Sequence, residues 1–195
     1  MSEPTPSRGP RERLLATADR LFLERGIRAV GIDLVLAESG VAKASLYRWF
    51  RSKDELVAAW LRERDESWFA WFEGEVGGVR DPSARIKAAF VFLGRWVTSP
   101  GFQGCAFVNA PIELRQADHP AMPVAQAHSE RLRAFFVGAA REAGIARAAR
   151  IGTALHLLFE GVLASAMGAD LERRASEARV ARDAAAALIA SGHPP

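Results

Sequence analysis

The chain has 195 residues, of which 49% are hydrophobic and 25% charged, with a formal net charge of +3. That is ample apolar material for a core, in one compact domain or in a small head fused to a larger body. No apolar run approaches the ~18–20 residues that span a bilayer, so no membrane segment is expected. The first ten residues lack the apolar stretch of a signal peptide. The single cysteine excludes an intramolecular disulfide and suits a reducing cytoplasm.

In chain order, residues 1–10 carry three prolines and read as a mobile tail. A first helix is expected over residues 11–25, with Leu14, Ala18, Leu21 and Phe22 at i, i+4, i+7 and i+8. Gly26 should end it in a left-handed cap, with Ile27 folding back behind it. A short helix over 32–39 follows, with Val30 and Val35 placed as a hydrophobic staple and Asp33 at its positive end. Gly40 breaks it, and another short helix runs from Lys43 to Phe50. Ser52–Glu55 has the spacing of a capping box opening a long fourth helix, which ends among the glycines of 74–78. Asp81-Pro82 pairs an N-cap residue with proline at the first helical position, and Ser99-Pro100-Gly101 closes that fifth helix. Further helices are expected over about 104–115, 120–142, 148–167 and 171–190. No internal repeat is evident.

Residues 31–53 carry the functional signal. Two short helices joined by a glycine-containing turn, with Ile32, Val35, Val41 and Leu46 as the apolar set, make a helix-turn-helix. In such a unit the second helix enters the DNA major groove and the first braces it. From Ser39 to Lys53 there are four cations, Lys43, Arg48, Arg51 and Lys53, and no acid. Uncompensated cations suit the dense negative charge of duplex DNA, and Ser45 and Tyr47 add hydroxyls that can register a protein on phosphates.

From Arg11 to Leu56 the chain resembles the DNA-binding head of the TetR/AcrR family of repressors. The resembling residues are Ala18, Leu21 and Phe22; Gly26; Ala37, Gly40 and Val41; Leu46 and Tyr47; Phe50; and Ser52, Lys53 and Leu56. The resemblance implies phosphate contacts at Tyr47 and Lys53 and a DNA-facing surface at Lys43, Ala44, Ser45 and Arg48. It also implies an all-α protein: a three-helix head at 11–56 and a helical ligand-binding and dimerisation domain at 57–195, about nine helices in all. Gly31 and Ala42 depart from the family by standing where hydroxyl caps are usual, at roughly 1 kcal/mol or less each. Leu36 stands where a small alanine is frequent.

Beyond the head, Phe102, Cys105, Asn109 and Glu113 fall three and four residues apart and are expected to share a helical face. Polar groups among aromatics are how pockets orient ligands. The effector pocket is therefore expected at Trp68, Phe72, Phe90, Trp96, Cys105, Asn109, Glu113 and His128; the rival reading makes the aromatics and His128 ordinary core and turns Glu113 to water. For Cys105, buried packing is favoured over redox sensing. Glu113, Asp118, His119 and His128 include no i, i+4 histidine pair, so no metal or other cofactor is expected. The resemblance also implies that the last two helices, with small and aliphatic residues such as Leu158, Val162, Ala185, Leu188 and Ile189, pack against their copies in a homodimer. Packing within the monomer is the alternative.

No glycine-rich phosphate loop, His-Glu-x-x-His or Gly-x-Ser-x-Gly pattern is present, so an enzyme is not expected. A helical adaptor would account for the helices but not for the acid-free basic segment. The expectation is a cytoplasmic, non-membrane DNA-binding regulator: a repressor with operator duplex, a small-molecule effector and a second copy of itself as partners.

Overall fold

The computed structural model describes residues 9–192. The expected mobile tail falls outside the described residues except for Gly9 and Pro10. Among the described residues the chain forms nine helices and no strand. They are α1 (Pro10–Arg25), α2 (Ile32–Ser39), α3 (Lys43–Trp49), α4 (Lys53–Val76), α5 (Pro82–Val97), α6 (Ala106–Leu114), α7 (Met122–Glu142), α8 (Ala148–Ser165) and α9 (Leu171–Ser191).

Local chemistry sets most of these boundaries. Pro10 occupies the first turn of α1, and the Glu12 carboxylate accepts the Gly9 N–H at 3.2 Å. The Asp81 side chain accepts the Ala84 N–H at 2.7 Å to start α5, and Asp170 does the same for Arg173 at 2.8 Å to start α9. At the head of α4 the Ser52 hydroxyl accepts the Glu55 N–H at 3.2 Å. The Glu55 carboxylate reaches one residue further back than a capping box requires, accepting the Arg51 N–H at 2.8 Å.

Two compact units are present among the described residues: 9–64 with 109–125, and 65–108 with 126–192. In the first, α1 packs on α2 and α3, burying Leu14, Ala18, Leu21 and Phe22 against a core that includes Val30, Val35, Val41 and Leu46. Each of the leucine, valine and phenylalanine side chains contributes about 1.5–3 kcal/mol by leaving water. The first turns of α4 complete this unit. Trp60 meets Phe22 edge-on at 5.1 Å and donates its indole N–H to Asp19 at 2.7 Å. Asp19 also takes the Arg64 guanidinium.

In the second unit α9 packs along α5 and α8. Phe72, Phe90, Phe92, Phe136 and Phe159 are fully buried. Gly152 of α8 lies so close to α7 that a Cβ there would stand 2.5 Å from the Val137 Cα. The side-chain-free position is what lets these two helices approach.

Candidate nucleic-acid interface

The helix-turn-helix is held from inside. Val30 and Val35 are fully buried, as a staple requires. Gly40 ends α2 in the left-handed conformation (φ 63°, ψ 23°), its N–H donating to the Leu36 carbonyl at 3.1 Å. Gly31 and Ala42 precede α2 and α3 in extended conformations with no side-chain cap.

Helix α3 buries Leu46 and turns the other way with Lys43, Ala44, Tyr47 and Arg48, which are exposed at i, i+1, i+4 and i+5; Ser45 is half-buried beside them. An exposed tyrosine and two exposed cations on seven residues of helix make a surface that can meet phosphates and base edges. Lys43 lies 3.7 Å from Asp33, both well exposed. Such a pair is weak, leaving the ammonium available to a phosphate.

Lys53 is placed differently from these four. Its half-buried ammonium donates to the Ile27 carbonyl at 2.6 Å. Burial lowers its pKa, and the nearby Asp54 and Glu113 carboxylates act in the opposite direction.

Glu113 is in the same place, on the α1–α2 turn. Its carboxylate accepts the Ile27 N–H at 2.6 Å and the Arg28 N–H at 3.3 Å. The turn makes this possible because Gly26 combines φ 83° with ψ 154°, an extended positive-φ state, where a left-handed cap had been expected. A Cβ on Gly26 would stand 2.9 Å from the Glu113 Oε2. No local sequence signal could pair residues 86 positions apart.

The expected face of Phe102, Cys105, Asn109 and Glu113 is interrupted. Gly104 takes φ 91° and α6 begins only at Ala106, so the first two residues precede the helix. Phe102 and Cys105 are buried; Asn109 is half-buried on α6 and falls in the first unit with Glu113.

In the second unit Trp68 gathers several of the expected pocket residues. Its ring stacks on Phe72 at 5.0 Å and lies 5.8 Å from Trp96 and 4.8 Å from His128. Phe90 instead meets Phe136 and Phe159, at 5.7 and 5.9 Å. The His128 Nδ1 bonds Asp65 at 2.7 Å, and Phe107 lies flat on the imidazole at 3.6 Å. Neither Asp65 nor Phe107 was legible as a partner, because each comes from another segment of chain. Burial pushes the His128 pKa down, while Asp65 favours the protonated ring. The Trp68 indole N–H is buried without a hydrogen-bond partner.

His156 lies beside Ser129, whose hydroxyl donates to Glu160 at 2.8 Å. The contact with His156, and then that with Ser129, hold the Glu160 carboxyl below its usual range against the opposing effect of burial. Among the described residues no three His, Cys, Asp or Glu side chains converge as metal ligands would, and no helix is long and apolar enough to cross a membrane.

Of the apolar residues on α8 and α9, Val162, Ala185 and Ile189 are buried within the protomer. Leu158 and Leu188 instead border a shallow apolar groove of about 730 Å³, with Ala154, Leu157, Ala184, Ala187 and Ser191. Leu157 is 62% exposed.

The family model described as bacterial regulatory proteins, tetR family, matches residues 14–60. A putative TetR transcriptional regulator from Streptomyces avermitilis is 35% identical over 91% of this chain and 98% of its own, with a TM-score of 0.80. A TetR-family regulator from Streptomyces coelicolor superposes with a TM-score of 0.84 at 29% identity, covering 94% of this chain and 95% of the other. The transcriptional repressor NemR of Escherichia coli is 43% identical over 51 residues, 26% of either chain, so the chain spans about a quarter of that curated relative.

Proposed function

The chain belongs to the TetR family of DNA-binding transcriptional regulators, and from that premise we propose that it is a repressor released from its operator by a small-molecule effector. The carrying observation is the exposed face of α3: Lys43, Ala44, Tyr47 and Arg48, with Ser45 beside them, stand outward on a helix fixed from behind by Leu46. These five residues contact the operator in this reading, and Lys53 ties the start of α4 to the Ile27 carbonyl. Residues 11–56 read DNA; residues 57–195 bind effector and dimerise. The repressor name carried by NemR supports the sign of regulation.

One short helix reads few bases, so two heads must act together on two half-sites. The apolar groove of α8 and α9 supplies the means. Leu157, Leu158 and Leu188 on two packed helices form a face that a second copy can cover symmetrically.

The effector enters the aromatic cluster of the second unit, where Trp68, Phe72 and Trp96 supply apolar walls. Phe90 is linked to them through Phe159, which meets both Phe72 and Phe90. The unpartnered Trp68 N–H and the His128 ring are the polar groups that orient the ligand. An apolar or aromatic compound with one acceptor fits this chemistry. Trp68 and Phe72 lie on α4, the helix whose first residue, Lys53, bonds the Ile27 carbonyl, so in this reading repacking around Trp68 is transmitted along α4. The ligand shifts the equilibrium only by its preference for one of the two states. Glu113 takes no part in ligand binding, because its carboxylate is engaged with Ile27 and Arg28. The protein works in the cytoplasm, where its DNA is, and no catalytic step belongs to this reading.

Selection of binding sites from a random duplex pool tests it, with the Tyr47→Phe/Lys43→Ala variant run in parallel. A palindromic motif recovered by wild type and lost by the variant is the expected result. No motif at low salt without ligand would overturn the reading.

A further inference from the structure

Three segments meet at one residue of the α1–α2 turn. Ile27 is buried, its N–H donates to Glu113 of α6, and its carbonyl accepts from Lys53 at the start of α4. Both bonds measure 2.6 Å and each is charge-assisted. Helices α2 and α3 lie wholly between Ile27 and Lys53 in the chain. The Ile27–Lys53 bond therefore clasps the two ends of the helix-turn-helix segment.

We propose that Glu113 is the positioning residue of this clasp, setting operator affinity and specificity without touching DNA. The inference rests on the reading of α3 as the operator-contacting helix.

Three observations support the assignment. The successive N–H groups of Ile27 and Arg28 point at a single carboxylate oxygen, an arrangement that suits an anion. Gly26 adopts a conformation that only glycine enters freely, and a side chain there would press on that same oxygen. The Glu113 charge also favours the charged form of Lys53, so one carboxylate supports both halves of the clasp. Glu113 thus fixes Ile27 from one side while helping Lys53 hold it from the other.

The sign of the effect separates this role from a simple charge effect. A carboxylate near a DNA-binding head repels phosphates, so electrostatics alone predicts that neutralising it tightens binding of every sequence. A positioning role predicts weaker binding to the operator and no loss on random duplex. The test uses the full chain with the duplex recovered by selection and a scrambled duplex of equal length.

For Glu113→Ala, operator affinity should fall about tenfold, the scale of one charge-assisted hydrogen bond. Affinity for the scrambled duplex should hold or rise, and the salt slope on operator should stay as in wild type, because no phosphate contact is lost. Glu113→Gln, which keeps the shape and an acceptor oxygen, should recover part of the loss. In amide hydrogen exchange Ile27 and Arg28 should lose protection in the alanine variant while the α1 interior keeps its own.

Undiminished operator affinity in Glu113→Ala would overturn the proposal. So would an equal loss on both duplexes accompanied by faster exchange throughout α1, which would mark general destabilisation. A wild-type chain that selects no operator would remove the DNA-contact reading itself. Wild-type binding with an unaffected Glu113→Ala would remove only the role of Glu113.

Discussion

Phe107 lies flat on His128, ring centroids 3.6 Å apart and planes within 4°, while the Nδ1 of the same imidazole bonds Asp65 at 2.7 Å. An aromatic lid on one side and a carboxylate at one nitrogen hold the ring in a single orientation beside Trp68. Burial outweighs the pull of Asp65, so the ring binds its proton less readily than in the unfolded chain.

Stability should depend on pH through this ring. The folded pKa lies below the unfolded value of about 6.5, so the unfolded state binds more protons as pH falls. The contribution of His128 is complete above about pH 6.5 and is lost progressively as pH drops towards the lowered folded pKa. Melting curves between pH 5 and 7.5 should show the midpoint falling by a few degrees at the acid end. His128→Phe should flatten that part of the curve, and an unchanged slope would assign it elsewhere.

Gly152 should tolerate no side chain. Its Cβ would stand 2.5 Å and 2.7 Å from the Val137 Cα and N, backbone atoms that cannot rotate away. Alanine gains up to about 1 kcal/mol in helix propensity, but separating α7 from α8 costs about 1–3 kcal/mol of packing. Chemical denaturation of Gly152→Ala should show a net loss, and a midpoint equal to wild type would mean that the helices part freely.

Ala42 offers the opposite case. It is the N-cap of α3, extended at φ −63° and ψ 142°, with no side chain able to bond the first turn. Ala42→Ser should stabilise the protein by about 1 kcal/mol, which raises the melting midpoint by roughly 2–4 °C in a chain of this size. Thermal scans of both proteins decide it.

Exposed residues of α3 should act on DNA binding alone. Lys43→Ala should leave the melting midpoint within a degree or so of wild type and reduce the slope of log K against log salt by about one. Operator titrations at four or five salt concentrations measure this. An unchanged slope would place Lys43 away from phosphate.

The α8–α9 groove predicts its own disruption. Leu157 is exposed in the protomer, so Leu157→Glu should leave the single chain folded while placing charge in the covered face of a dimer. Light scattering should then report the mass of one chain where wild type reports two. A variant that remains dimeric would exclude this face.

Element boundaries were legible in the sequence because the signals that make them are local. Gly40, Asp81-Pro82 and the Ser52–Glu55 cap act within one helical turn, and the end of α2 and the starts of α5 and α4 follow from such short-range chemistry. The exposed face of α3 was legible for the same reason: on a seven-residue helix with Leu46 inward, helical spacing alone turns Lys43, Tyr47 and Arg48 outward.

Partners distant in the chain were not legible. Periodicity placed Glu113 on a helix face but could not say what lay opposite. Tertiary packing set it on the backbone of Ile27, 86 residues away. The same limit applied to α8 and α9, whose small residues fit burial on several faces. Only packing against the rest of the unit turned Val162, Ala185 and Ile189 inward and left Leu157 and Leu188 along the open groove. A single sequence states what each short segment prefers; which distant groups satisfy one another is decided when the chain closes on itself.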